Sequence, residues 1–288
     1  MRKKESGWAK VRRMLNSMVK ALYATIVLAS LISPITPQTL HYLASLAETQ
    51  AAIVAFAEHA PFGDHKLIAL PDGSTVDLNT DARISGMMSV KERSMHLESG
   101  EAVFQVVPDR NRPFTVKVGH VQIRVVGTRF DVYSGANSDY TGERGTRITV
   151  LDGAIQVTRD DTSAGSILRL AAGDQIEIFD DRTKVALLRH VTEPAAGRLT
   201  AWQHGAIEFE DRTLREILTE YARYRPVQYD SKDPEILNQR FTGVFHTNDV
   251  APFLKSLEAE CIRSSFEGAG RHIVLNRPSS KRRGGQCH

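Results

Sequence analysis

The chain has 288 residues, of which 41% are hydrophobic and 25% charged, with a formal net charge of +3. It is long enough for about two domains and apolar enough to bury a core, which excludes wholesale disorder. So small a net charge also excludes the broad basic footprint of a nucleic-acid-binding body.

The charge is unevenly placed. Arg2, Lys3, Lys4, Lys10, Arg12, Arg13 and Lys20 crowd the start against a single acid, Glu5, and no Lys or Arg follows from Ala21 to His65. Inside that gap Ala21 to Ile35 carries no charge at all. With the residues just before it, this run predicts a single transmembrane anchor over residues 19–36, roughly 27 Å long at helical rise and enough to cross a bilayer core. Positive charge resists translocation, so residues 1–18 are expected as a short cytoplasmic tail at a bacterial inner membrane, with the body periplasmic. Two other readings stay open for this segment: a secretory signal cleaved near Ser45-Leu46-Ala47, and a buried helix of a soluble protein. In the tail, Trp8, Val11 and Leu15 share one helical face and are candidate partner-binding residues. The same stretch also reads as a basic juxtamembrane segment drawn to anionic headgroups.

Residues 37–65 read as a connector, apolar in part and turning at Pro61-Phe62-Gly63-Asp64. From about Lys66 the period becomes two. Val76 and Leu78, then Ala102, Phe104 and Val106, alternate with polar neighbours. So do Phe114, Val116 and Val118, and Val121, Ile123 and Val125; shorter pairs follow at Phe130/Val132, Ile148/Val150, Ile155/Val157, Leu168/Leu170 and Ile176/Ile178. Asp72-Gly73, Ser99-Gly100, Asp152-Gly153 and Gly173-Asp174 supply turns between them. Half-buried strands at this spacing predict an all-β roll or sandwich over residues 66–190. Gly127, at the entry to one strand, is expected to be a position where another backbone comes close rather than a ligand contact.

A linker is expected over residues 191–203, around Glu193 to Gly197, and the pattern then changes over residues 204–277. Thr213-Leu214-Arg215-Glu216 has the form of a capping box, ahead of a helix face formed by Leu214, Ile217, Leu218 and Tyr221. A second helix is expected after Asn248-Asp249, with Phe253, Leu254 and Leu257 on one face and Pro252 tolerated in the first turn. Strands flanking both helices give the order βαββαββ, a small α+β module. The fold class is therefore mainly β, with one membrane helix, a β roll or sandwich and an α+β module. Residues 278–288 read as a disordered polar tail. Cys287 falls there, and both it and Cys261 are expected as unpaired thiols.

Chemistry leaves little trace. The ten histidines frame no metal-binding spacing, and no nucleophile elbow or phosphate-binding loop occurs. The acids Asp160-Asp161 and Asp180-Asp181 sit beside turn signals and read as solvated turn residues. No catalytic residue, metal or cofactor is expected. An enzyme acting on envelope sugars would need two carboxylates facing one cleft.

Several runs carry a family resemblance. They are LPDGSTVDLNTDARI from Leu70, LESGEAVFQV from Leu97, RPFTVKV from Arg112, VVGTRFDVY from Val125, ITVLDGAIQV from Ile148 and LAAGDQ from Leu170, followed by Trp202 and Gly205 to Phe209. In order and spacing they resemble the FecR family. The last module, through Phe209, Leu214, Tyr229, Phe241 to Val244 and Phe253-Leu254, is similar to the short N-terminal domain of secretins and TonB-dependent receptors. The resemblance implies a non-enzymatic inner-membrane regulator, relaying a signal from the signalling domain of an outer-membrane TonB-dependent receptor towards an extracytoplasmic-function sigma factor. Iron-siderophore uptake is the implied context. Trp202, Phe209, Phe241 and Val244 are the candidate partner-binding residues of the module. Only about 18 residues precede the expected anchor, fewer than the sigma-binding domain of the family requires. An exported periplasmic adaptor without sigma-factor control is therefore the alternative expectation.

Overall fold

A computed structural model describes residues 54–137, 144–160, 167–181, 183–225, 228–231, 233–267 and 272–276, together with residue 38. The expected tail, the expected anchor over residues 19–36 and the polar tail after residue 277 lie outside them. Among the described residues no helix is long and apolar enough to cross a membrane.

The fold is mainly β. Thirteen strands come first: β1 (Val54–His59), β2 (Lys66–Ala69), β3 (Thr75–Leu78), β4 (Arg83–Met88), β5 (Arg93–Gln105), β6 (Phe114–Val118), β7 (Val121–Val125), β8 (Arg129–Asn137), β9 (Arg144–Asp152), β10 (Ala154–Arg159), β11 (Leu168–Ala171), β12 (Asp174–Phe179) and β13 (Leu187–His190). They form two layers that share β5. The first layer runs β1-β4-β5-β6-β7-β10-β11 and the second β2-β3-β5-β8-β9-β12-β13. Strand β5 pairs with β4 and β6 through its first half and with β3 and β8 through its second. It crosses between layers at Gly100, where φ is +83° and a Cβ would lie 2.6 Å from the Ala82 Cα. Only glycine fits a backbone that is both left-handed and so closely approached.

Alternation does what the sequence promised on the inner faces. Leu78, Ile84, Leu97, Phe104, Phe114, Ile123, Phe130 and Ile148 are buried in one core between the layers. The Phe104 and Phe130 rings stack at 5.0 Å, and Phe114 meets Phe104 edge-on at 6.3 Å. Each such side chain stabilises the fold by about 1.5–3 kcal/mol. One charge lies within: Arg93 is 1% exposed, bonds Asp72 at 2.8 Å and donates to the carbonyls of Val107 and Arg112. Burial pushes the Asp72 carboxyl up, but bonds from Arg93 and Ser74 outweigh it and hold it below the usual range.

Two boundaries differ from expectation. The connector over 37–65 ends early, because residues 54–59 form β1 and pair with β4 from Val54↔Met88 to His59↔Arg83. Its alanines suit a helix better than a strand, and cross-strand pairing overrides that preference. The linker over 191–203 is folded: α1 (Glu193–Leu199) leads into a 3-10 turn over Ala201–His204 that buries Trp202. Cys261 is held in a disulfide rather than free, with its partner outside the described residues.

The C-terminal module then follows as β14 (Ala206–Thr213), α2 (Leu214–Tyr224), β15 (Gln228–Ser231), β16 (Arg240–His246), α3 (Ala251–Leu257), β17 (Arg263–Glu267) and β18 (His272–Asn276). The Thr213–Glu216 capping box is formed in both directions, and the carboxylate of Asp249 accepts from the Ala251 amide at the start of α3. Strands β14 and β16 make a two-stranded antiparallel sheet, and β15-β18-β17 a three-stranded one. Leu214, Ile217, Tyr221, Phe253 and Leu257 fill the core between them.

Candidate functional site

The polar faces of the two layers meet different fates. On the β3-β5-β8-β9-β12 layer the outward residues are Asp77, Glu101, Asp131, Thr149 and Gln175, none more than 7% exposed. The helical linker and the C-terminal module cover them. Val103, on the same face, joins the module's core beside Trp202 and Ile207. The result is a polar seam rather than a solvated sheet surface.

Arg223, in the last turn of α2, is the centre of that seam. Its guanidinium donates to Glu101 Oε2 at 2.6 Å and to Glu220 Oε1 at 2.7 Å, and lies 4.2 Å from the Tyr133 ring centroid. Glu101 is 1% exposed and also accepts from Asn79 Nδ2 at 2.7 Å and from Arg147 Nη2 at 3.4 Å. Asn79 in turn donates to the Tyr224 hydroxyl at 2.9 Å, and Thr80 to the Arg223 carbonyl at 3.1 Å. At the linker, Gln203 accepts from Arg129 and donates to Asp77, both at 3.0 Å. The contacts of Arg223 with Glu101 and Tyr133, of Asn79 with Tyr224, of Thr80 with the Arg223 carbonyl and of Gln203 with Arg129 and Asp77 join β3, β5, β8 or the turn after β3 to the linker or α2. Charged bonds of this kind, shielded from water, orient two bodies more firmly than surface pairs do.

One group in the seam is unbalanced. Asp131 is fully buried and neither carboxylate oxygen has a hydrogen-bond partner. Burial first, and then the neighbouring Glu101 charge, push its carboxyl well above the usual range against the pull of Arg147, Arg223 and Arg129. Asp131 therefore favours the neutral form at pH values where a free aspartate is ionised.

Beside the seam a cleft of about 460 Å³ opens between β12-β13, α1, β14 and α2. Arg189, on its lining, pairs with Glu177 beside it, and Arg198 with Glu210 and Arg212 with Glu216 within it. Glu210 and Glu216 are thus tied to arginines, and Glu216 is also engaged in the α2 cap. Asp181 closes its own turn through the Thr183 amide and hydroxyl.

The sequence-derived candidates separate. Trp8, Val11 and Leu15 lie outside the described residues. Trp202 and Phe209 are buried at 5% and 6% exposure, which gives them a packing role. Phe241 is half-buried against Phe253, and Val244, opposite Glu208 on β16, is 62% exposed. Sequence reasoning missed Arg223, Glu101, Asn79 and Asp131. A signal was present for the last: an aspartate between Phe130 and Val132, mid-strand, is disfavoured in a sheet unless something special surrounds it.

Residues 59–156 match the family model described as FecR protein. Over strands β2 to β10 the roll is similar to the FecR family. Two solved structures share the fold of the chain: both are of a provisionally assigned anti-sigma factor from Parabacteroides distasonis, with TM-scores of 0.61 and 0.60. Each is 23% identical, and the match covers 78% of this chain and 100% of the other. That share exceeds the β roll, so the likeness in fold extends into the C-terminal module. No curated protein matches. Within the matched stretch, Gly127 is a position of close approach, as expected: a Cβ there would lie 2.6 Å from Pro108 Cγ and 2.7 Å from its Cα.

Proposed function

We propose that this chain is a membrane-anchored, non-enzymatic signalling regulator of FecR type. Its N-terminal tail is cytoplasmic, and its FecR domain and C-terminal module are periplasmic. The match of residues 59–156 to the FecR family carries the reading. The seam supports it, since a module docked through charged bonds can pass a change at its far surface to the roll beneath.

In this reading the C-terminal module acts like the short N-terminal domain of secretins and TonB-dependent receptors. It meets the signalling domain of an outer-membrane TonB-dependent receptor, and the signal travels through Arg223 and the FecR domain to an extracytoplasmic-function sigma factor. A siderophore receptor is the first candidate. Among the described residues the β14-β16 sheet has two strands, and its outer edges offer main-chain groups for strand addition beside the exposed Val244.

An alkaline phosphatase fused at the C-terminus tests the topology, with activity expected only on export. Co-purification of the full chain with a receptor signalling domain and with a sigma factor tests the two ends separately. A fusion that is inactive in cells and fractionates with the cytosol would overturn the reading. Retention of the receptor domain without any sigma factor would reduce it to an exported adaptor.

A further inference from the structure

Among the described residues nothing packs over the outer face of the other layer along β6, β7, β10 and β11, and that part of the face carries arginines. In register across β6, β7, β10 and β11 stand Thr115, Arg124, Gln156 and Arg169. Register partners share a face, and neighbouring strands lie about 4.8 Å apart, so Arg124 and Arg169 flank Gln156 at roughly 10 Å from each other. The segment after β5 brings in a third arginine: the Asp109 amide donates to the Val126 carbonyl at 2.9 Å, which sets Arg110 at the end of β7. Together with Val126 and Ala154 these three arginines line an open cleft of about 780 Å³.

No carboxylate lines that cleft among the described residues, and Arg110, Arg124 and Arg169 are exposed with no ion pair to any described residue. The nearest acid in sequence, Asp109, is already consumed by the Arg112 guanidinium at 2.9 Å and the amides of Asn111 and Arg112. The contrast with the seam is sharp: there Arg147, Arg189 and Arg223 face acids of this chain, whereas here like charges share one concavity. Unpaired arginines repel one another at such range, and each guanidinium fork matches a phosphate or carboxylate.

We propose that this cleft binds a small multivalent oxyanion, one carrying two or more phosphate or carboxylate groups. Arg124 and Arg169 hold its ends, Arg110 caps it from the β7 side, and the Gln156 amide bonds whatever polar group lies between. The concavity, walled by Pro108 and the Arg110 segment, suits a compact molecule better than a flat lipid surface. The proposal rests on this cleft alone and stands or falls independently of the signalling role.

The test is isothermal titration of the full-length chain with tripolyphosphate and with tricarballylate, using acetate as a monovalent control. Binding of either polyanion and not of acetate is expected, weakening as salt is added. Charge reversal in Arg124→Glu/Arg169→Glu should weaken it at least about tenfold, the loss of two charge-assisted contacts. Arg215→Glu, an exposed arginine on α2, should leave it unchanged, and thermal midpoints check that every variant folds. Binding of one probe alone assigns the site to phosphate or to carboxylate chemistry. No binding of either polyanion, or equal losses in Arg215→Glu, would overturn the proposal. So would capture only by vesicles containing phosphatidylglycerol through the same arginines, which would make the face a membrane contact.

Discussion

Removing the Arg223 guanidinium is the sharpest test of the seam. Glu101 is 1% exposed in the intact protein, and in Arg223→Ala it loses its 2.6 Å bond, keeping Asn79 at 2.7 Å and Arg147 at 3.4 Å. Stripping one partner from a buried pair costs about 3–5 kcal/mol, and the two remaining partners bring this to about 2–3 kcal/mol. Loss of the contact over Tyr133, 4.2 Å away, adds about 0.5–1 kcal/mol. The expected total is about 3 kcal/mol, read by urea unfolding of the purified chain. The wild type should unfold the β roll and the C-terminal module together, while the variant should show two transitions, because the cores on either side of the seam are intact. Glu101→Gln in the same background removes the stranded charge and should recover about 1–2 kcal/mol. A loss below about 1 kcal/mol, or no recovery with Glu101→Gln, would show that packing around Val103 and Trp202 holds the bodies together and that the charges are incidental.

Other changes test neighbouring parts of the account. Asp131 has a folded-state pKa raised by burial, so its contribution to stability is full below the unfolded value near 4 and is lost as pH rises through the folded value. Asp131→Asn should therefore raise the thermal midpoint at pH 7–8 and lose that advantage towards pH 4; a pH-independent difference would contradict the burial argument. For Asp72 the sign is opposite, since its folded pKa is lowered and its stabilisation is lost as pH falls. Arg93→Ala should cost about 3–5 kcal/mol at neutral pH and flatten that acid limb, as followed by circular dichroism from pH 7 to 2. Gly127→Ala forces a Cβ to 2.6 Å from Pro108 Cγ and should cost about 1–3 kcal/mol without altering export, measured by thermal unfolding and by the phosphatase fusion.

Much of the fold is legible in the sequence because its causes are local. Period-two alternation marks strands β3 and β5 to β12, and it sorts each into an apolar and a polar side. Thr213 and Glu216 announce the start of α2, since a capping box needs only residues three apart. Gly127 declares a crowded backbone by lacking a side chain where a strand begins. The alanine-rich β1 is hidden for the converse reason: its strand state comes from pairing with β4, some thirty residues away, and not from its own preference.

Which polar face is covered could be decided only by the tertiary structure. Glu101 and Asp131 alternate with apolar neighbours just as Arg124 and Gln156 do, and a period of two says that two faces exist but not what lies against either. The C-terminal module settles the matter by laying α2 and the Trp202 turn on one layer, which converts surface acids into buried ones and selects Arg223 as their partner. The other layer keeps its arginines in the open. Alternation is a property of neighbours along the chain, whereas burial of a polar side chain is a property of distant segments brought together.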